Sequence, residues 1–124
     1  MDTFSALIVD DMAEMAGLLE ITIKKYGATP TVIAQTGNQA LDLYSKAEYQ
    51  IVFLDINLPD MLGVAVLDEL KKLDPNVYVV MVSAHSSIEN IRDSVQHGAK
   101  GFIVKPYTPE KIKESVDKYF HSLA

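Results

Sequence analysis

The sequence predicts an α/β domain, with a five-stranded parallel sheet covered by helices on both faces. Five short, mostly apolar runs alternate with segments whose apolar residues recur every three or four positions. Such alternation indicates βαβ units with right-handed crossovers. The run from Ile51 to Leu54 is apolar at every position, as expected of a central strand covered on both faces. With 124 residues, the chain suits one domain and is too short for two, so we expect residues 1–124 to form a single domain.

The first two units begin at the N-terminus. Residues 4–9 are predicted to be a buried strand, because apolar and β-branched residues dominate them. An amphipathic helix follows, with Asp11 as its predicted N-cap and Gly27 just beyond its end. Residues 31–34 are predicted to form a second strand, after which Thr36 caps a second helix. The apolar face of the first helix is predicted to consist of Met12, Met15, Leu19, Ile23 and Tyr26.

The last three units repeat the pattern. Residues 50–54, 77–82 and 101–104 are predicted to be strands three, four and five. The final helix is predicted to begin with Thr108 as its cap and Pro109 at its first position. The predicted inward residues of the last three helices are Val66, Leu67, Leu70 and Leu73, then Ile88, Ile91 and Val95, and finally Ile112, Val116, Tyr119, Phe120 and Leu123.

Composition excludes several classes of function. The net charge of −6 leaves no basic stripe for phosphates, so we expect no direct binding of nucleic acid. There is no cysteine, which excludes disulfide scaffolds and cysteine–zinc sites. The N-terminus lacks the features of a secretion signal, and the longest apolar run, residues 77–82, is too short to span a bilayer. We therefore expect a soluble, cytoplasmic protein without membrane contact.

Five polar residues fall where the predicted strands end. Asp10 and Asp11 follow the first strand, Asp55 the third, Ser83 the fourth and Lys105 the fifth. Open α/β sheets bind ligands at the carboxyl edge that these strand ends share. Three carboxylates gathered there require compensating cations. Oxygen ligands without cysteine or clustered histidine select a hard ion, so Mg²⁺ is the predicted metal, with Mn²⁺ as a substitute.

Simpler interpretations exist for single members of this set. Asp11 could be only a helix cap, Ser83 only a turn residue, and Lys105 only a solvated loop lysine. The conjunction of all five residues at one sheet edge favours a functional site over these separate explanations.

Together these residues resemble the receiver domain of two-component response regulators. The resemblance covers the whole chain and implies a flavodoxin-like fold with strand order 2-1-3-4-5. The matching residues are Asp10, Asp11, Asp55, Leu58-Pro59, Gly63, Ser83-Ala84 and Lys105-Pro106.

The resemblance implies a phosphorylation site and its metal ligands. Asp55 would be the phosphoryl acceptor, and Asp10 and Asp11 would hold Mg²⁺. Asp55 itself and the backbone carbonyl of Asn57 would complete the protein ligands. The side chain of Asn57 would then be free to tune dephosphorylation together with His85.

The resemblance also implies a switch. Ser83 would hydrogen-bond the phosphoryl group, and Lys105 would form an ion pair with it. The Lys105–Pro106 peptide bond would be cis. Phe102 stands at the switch position, where the family often has tyrosine, so the bulk is kept and the hydroxyl is lost. Leu62 departs from the family pattern, which more often has aspartate or asparagine before the glycine.

The implied function is a phosphorylation-activated signalling switch in a two-component system or phosphorelay. The donor would be a sensor histidine kinase or a histidine phosphotransfer protein. The output would be altered binding of a downstream protein to the face formed by the fourth helix, fifth strand and fifth helix. Such a domain is not an enzyme in the ordinary sense, because it catalyses only its own phosphoryl uptake and slow autodephosphorylation. If the chain is complete, its output is a binding event; if it is a fragment, an effector domain has been removed.

Three alternatives stay open. A flavodoxin-like cofactor binder would need a phosphate-binding loop rich in Ser, Thr and Gly after the first strand, where Asp10 and Asp11 stand. A haloacid-dehalogenase-type phosphatase would need an aspartate two residues after its nucleophile, where Asn57 stands. The third alternative is a receiver-like domain that binds partners without taking phosphate.

Overall fold

The computed structural model describes residues 2–84 and 88–123, and for Ile88 the backbone alone. Within these residues, strands and helices alternate strictly. The elements are β1 (Phe4–Val9), α1 (Ala13–Lys25), β2 (Ala28–Ala34), α2 (Gly37–Lys46), β3 (Ile51–Asp55), α3 (Gly63–Leu73), β4 (Val79–Ser83), α4 (Ile88–Gln96), β5 (Gly101–Val104) and α5 (Pro109–Ser122).

The five strands form one parallel sheet in the order β2-β1-β3-β4-β5. The predicted fold class and strand order are therefore confirmed. β3 lies in the middle of this sheet, and every residue from Ile51 to Asp55 is buried. The apolar run that led to the prediction thus marks the strand that needs cover on both faces.

Two hydrophobic clusters lie on opposite faces of the sheet. Ile8 of β1 and Phe53 of β3 pack into the cluster that contains residues of α1 and α5. Leu7 and Leu54, their neighbours in sequence, pack into the cluster that contains residues of α2 and α3. Successive strand residues point to opposite faces, so both layers of helices are anchored by the same strands. Among the described residues, we find no helix with the length and apolarity needed to cross a membrane.

Three strands differ from their predicted bounds. β3 spans Ile51–Asp55, one residue later than predicted at both ends. β2 begins at Ala28, three residues before its predicted start, and includes Pro30. Because β2 lies at the edge of the sheet, a residue without an N–H can be accommodated there. β4 begins at Val79 rather than at Val77, although Val77 is also buried.

Four residues that were predicted to face inward are exposed instead. Met12 precedes α1, Leu73 is the last residue of α3, and Leu123 follows the end of α5. All three are about half exposed or more, and each lies at the end of its helix. Val95 is also exposed, and the neighbouring Ser94 is buried in its place.

The caps of α2 and α5 are as predicted, whereas that of α1 is not. The Thr36 side chain accepts a hydrogen bond from the Gln39 N–H, and Thr108 accepts one from the Lys111 N–H. The N-cap of α1 is Met12, without a capping hydrogen bond from its side chain. The prediction that Asp11 caps this helix is therefore wrong.

Candidate functional site at the carboxyl edge of the sheet

The strand ends bring the predicted polar residues to one edge. Asp10 directly follows β1, Asp55 is the last residue of β3, Ser83 is the last of β4, and Lys105 directly follows β5. The register pairs Asp55 with Val82 and Ser83 with Val104, so neighbouring strands end nearly level. β3 extends one residue beyond its apolar run, so its last residue, Asp55, places a carboxylate at this edge.

Lys105 lies between two buried carboxylates. Its Nζ atom is 3.0 Å from Asp10 Oδ2 and 3.4 Å from Asp55 Oδ2. Asp10 and Asp55 are buried and the Lys105 side chain is mostly buried, so water weakens these ion pairs much less than it would at the surface. Backbone amides fix the other carboxylate oxygens: Met12 N–H donates to Asp10 Oδ1 over 2.9 Å, and Asn57 N–H donates to Asp55 Oδ1 over 3.2 Å.

The carboxylates are close enough to share a cation. Asp10, Asp11 and Asp55 each offer an oxygen, and these oxygens lie within 4.8 Å of one another. Asp11 is exposed while the other two are buried, so the cluster opens to solvent on one side. Oxygen donors with a solvated side match the preference of Mg²⁺, which keeps several waters and takes few carboxylates. The donor set therefore fits the predicted metal.

Burial and Lys105 act on Asp55 in opposite directions. Burial raises the pKa of the Asp55 carboxyl, while Lys105 and the Asn57 N–H counteract this rise. For Lys105, burial alone would lower the pKa, but hydrogen bonding to Asp10 and the charge of Asp55 raise it above its usual value. Lys105 therefore stays protonated and favours the ionised form of Asp55.

The loop after β3 is closed at its base. Asn57 and Leu62 form an antiparallel bridge, and the Gly63 N–H donates to the Ile56 carbonyl over 2.6 Å. A Cβ atom at Gly63 would overlap the Asp55 carbonyl, so the start of α3 can approach β3 this closely only with glycine. We name residues 57–62 the β3–α3 loop.

The tip of the β3–α3 loop is attached to α2, a contact that the sequence did not predict. Asp60 Oδ1 accepts a hydrogen bond from the Gly37 N–H over 2.8 Å, and Asp60 Oδ2 accepts one from the Asn38 N–H over 2.9 Å. Asp60 lies in the same short stretch as Asp55, but its partners are 22 and 23 residues away in sequence. No local pattern could identify them.

The remaining predicted residues are placed as follows. Ser83 is fully buried at the end of β4. Phe102 is partly buried and packs against the cluster beneath α2 and α3. The Lys105–Pro106 bond is cis, as predicted; Thr29–Pro30 is also cis. His85 lies outside the described residues, so its predicted part in dephosphorylation stays a prediction.

A doubly wound five-stranded sheet with carboxylates and a lysine at this edge is the arrangement expected of a signalling receiver domain. The family model described as the response regulator receiver domain matches residues 6–117. The chain therefore belongs to the response regulator receiver family, whose members are signalling switches rather than classical enzymes.

Individual relatives agree with this assignment. The chemotaxis protein CheY of Thermotoga maritima is 36% identical over 112 residues, which cover 90% of this chain and 93% of that protein. The sporulation initiation phosphotransferase F of Bacillus subtilis is 34% identical over 113 residues, covering 91% and 90%. A chain in the crystal structure of the CheX–CheY–BeF₃–Mg²⁺ complex from Borrelia burgdorferi aligns with a TM-score of 0.89 and 32% identity, over 94% of this chain and 89% of that chain.

Proposed function

We propose that this protein is a phosphorylation-activated switch of a two-component system or phosphorelay, and that Asp55 is its phosphoryl acceptor. The observation that carries the proposal is the position of the Asp55 carboxylate. It ends the central strand inside a cluster of three carboxylates, with one oxygen 3.4 Å from the Lys105 ammonium group. The donor is a phosphohistidine of a sensor kinase or of a phosphotransfer protein.

The reaction is a nucleophilic displacement at phosphorus. A carboxylate oxygen of Asp55 forms the new O–P bond while the N–P bond of the phosphohistidine breaks. The histidine nitrogen leaves with the electron pair of that bond and is protonated from solvent. Lys105 offers its ammonium group to the transferring oxygens, and Ser83, at the end of the neighbouring strand, offers a hydroxyl. Positioning and charge stabilisation supply most of the rate acceleration in such transfers.

Asp10, Asp11 and Asp55 would hold Mg²⁺, together with the backbone carbonyl of Asn57. When bound, the ion would neutralise charge on the phosphoryl oxygens. The clustered oxygens support this assignment, and so does the presence of BeF₃ and Mg²⁺ in the solved complex of the Borrelia relative.

A phosphorylation assay tests the acceptor. Acetyl phosphate with Mg²⁺ should add one phosphoryl group, detected by intact mass and removed by hydroxylamine. Asp55→Asn should abolish the addition, whereas Asp42→Asn should not, because Asp42 is an exposed partner of Lys46 on α2. Uptake by Asp55→Asn at the wild-type level would refute the assignment of Asp55, and no uptake by the wild-type protein would refute the proposed function.

The output is a change in the surface formed by α4, β5 and α5, to which a downstream protein binds. Ser83 would move toward the phosphoryl group, and Phe102 would turn inward into the space released. Without a hydroxyl, Phe102 would be held there by packing alone. Beryllofluoride with Mg²⁺ should shift amide resonances from Asp55 to α4 and α5 in wild type, but only near Asp55 and Lys105 in Phe102→Ala. The same spread of shifts in both proteins would remove Phe102 from the mechanism.

A further inference from the structure

The β3–α3 loop carries a proposed metal ligand on a short, closed segment. Its base is fixed by the Asn57–Leu62 bridge and by the hydrogen bond from Gly63 to Ile56. The Asn57 N–H also donates to Asp55. The Asn57 carbonyl, the backbone group assigned to the metal, therefore belongs to a short segment whose two ends are joined to each other.

Asp60 holds the tip of the loop against α2. Both of its oxygens are used, one on the N–H of Gly37 and one on the N–H of Asn38. These groups belong to the first turn of α2, where N–H groups have no partners within the helix and the helix dipole favours a negative charge. The two backbone hydrogen bonds also lower the pKa of the Asp60 carboxyl. The charged carboxylate thus remains in place at neutral pH.

Packing next to Asp60 confirms that loop and helix meet closely. A Cβ atom at Gly37 would lie within 2.6 Å of the Met61 side chain and 2.8 Å from Val66 Cγ2. Leu62, at the base of the loop, is the N-cap of α3 and makes no capping hydrogen bond with its side chain. The Asp60 carboxylate, through its hydrogen bonds to Gly37 and Asn38, is therefore the polar anchor that holds the loop on α2.

We propose that Asp60 is a positioning residue for the metal site: by docking the β3–α3 loop on the N-terminus of α2, it holds the Asn57 carbonyl where the cation binds. This inference rests on the proposed function, since it concerns the same Mg²⁺ site. It assigns to Asp60 an effect on metal affinity that acts through the loop, without contact between Asp60 and the ion.

Removal of the anchor should weaken binding of Mg²⁺. In Asp60→Ala the loop samples conformations in which the Asn57 carbonyl points elsewhere, and the apparent dissociation constant rises as the competent fraction falls. Loss of one charge-assisted hydrogen bond typically changes an equilibrium constant by about tenfold or more. We expect the dissociation constant for Mg²⁺, measured from amide shifts in a titration, to rise about tenfold, equivalent to about 1.4 kcal/mol.

The matched control is Thr36→Ala, which removes the side-chain cap from the same end of α2 without removing the anchor of the loop. It should destabilise α2 and leave Mg²⁺ affinity within about twofold of wild type, since an N-cap contributes to the helix rather than to the loop. Asp60→Asn keeps one acceptor oxygen and should give an intermediate affinity. If Asp60→Ala does not fold, the Mg²⁺ affinity of Asp60→Asn is compared with those of wild type and Thr36→Ala instead.

Two further measurements separate positioning from other effects. The initial rate with acetyl phosphate should require more Mg²⁺ for half-saturation in Asp60→Ala, while the rate at saturating Mg²⁺ stays within about twofold of wild type. If the lost charge acted on Mg²⁺ affinity only at long range, the difference between wild type and Asp60→Ala would disappear at about 1 M salt, where the screening length is only about 3 Å. If the difference comes from loss of the anchor, it should persist at that salt concentration.

Equal Mg²⁺ affinity in wild type and Asp60→Ala would overturn the inference. So would an equal loss in Thr36→Ala, because the effect would then belong to α2 as a whole. Disappearance of the difference in high salt would overturn it as well. If the wild-type protein bound no Mg²⁺, the metal assignment under the proposed function would fail and the inference with it.

Discussion

The strongest electrostatic prediction concerns Lys105, one cation that serves two buried carboxylates. Lys105→Met removes the charge and keeps most of the apolar side chain. The lysine is 12% exposed, and its partners Asp10 and Asp55 are 8% and 11% exposed. Removing one partner of such a buried ion pair costs about 3–5 kcal/mol. At about 4 °C per kcal/mol for a domain of this size, the melting temperature should fall by roughly 12–20 °C at pH 7.

The loss of stability in Lys105→Met relative to wild type should depend on pH, and the pKa shifts fix its sign. Burial already raises the pKa of Asp55, and Lys105 counteracts the rise, so in Lys105→Met the pKa of the folded state rises further above the unfolded value. A carboxyl shifted in this direction loses stability as pH increases through its folded pKa. The deficit should therefore be large at pH 7 and smaller near pH 4. The pKa of Lys105 is itself raised, so the contribution of Lys105 to the stability of the wild-type protein persists until the alkaline range.

Thermal and urea denaturation, each followed by circular dichroism at both pH values, are the assays. Asp55→Asn added to Lys105→Met should recover part of the lost stability at pH 7, because one uncompensated carboxylate is removed. Lys113→Ala is the matched control, since Lys113 pairs with Asp117 at the surface and surface pairs contribute little. A deficit of equal size at both pH values, or a double variant no more stable than Lys105→Met, would refute the reasoning.

Two further predictions concern structure away from the site. Hydrogen bonding to Asp68 over 2.7 Å raises the pKa of His97. The pair should therefore stabilise the fold below pH 6.5 and lose this effect as pH rises through the folded-state pKa. His97→Gln should lower the urea midpoint at pH 6 and not at pH 9. Thr108→Ala removes the cap that accepts from Lys111 and should cost about 1 kcal/mol, with faster amide hydrogen exchange in the first turn of α5. A deficit of His97→Gln at pH 9 equal to that at pH 6, or unchanged exchange in Thr108→Ala, would contradict the respective assignment.

Most of the fold and of the candidate site could be predicted because both are encoded locally. β3 is recognisable as a central strand from its apolar residues alone, and Asp55 directly follows that run. Once the strands are ordered in parallel, their ends must share an edge. The meeting of Asp10, Asp55 and Lys105 then follows from chain connectivity, without knowledge of any side-chain contact.

The errors arose where tertiary contacts override local pattern. Asp11 has the spacing of a helix cap, yet its carboxylate lies in the cluster with Asp55. In α4, hydrophobicity favours an inward Val95, but the fold buries Ser94, whose hydroxyl has no hydrogen-bond partner within the described part of the chain. Asp60 was missed for the same reason, since its role is defined by a helix that precedes it by more than twenty residues.

The charge of the site supports the proposed binding of a divalent cation followed by a phosphoryl group. Asp10, Asp11 and Asp55 contribute three negative charges when ionised, and Lys105 contributes one positive charge, so two negative charges remain and match a divalent ion. Conversion of Asp55 to an acyl phosphate replaces one negative charge by about two at neutral pH. The additional charge requires new hydrogen-bond donors, and the described edge offers Lys105 and the buried Ser83. Since Ser83 ends β4 and β4 pairs with β5, the movement of Ser83 under the proposed function would be transmitted to β5, where Phe102 lies.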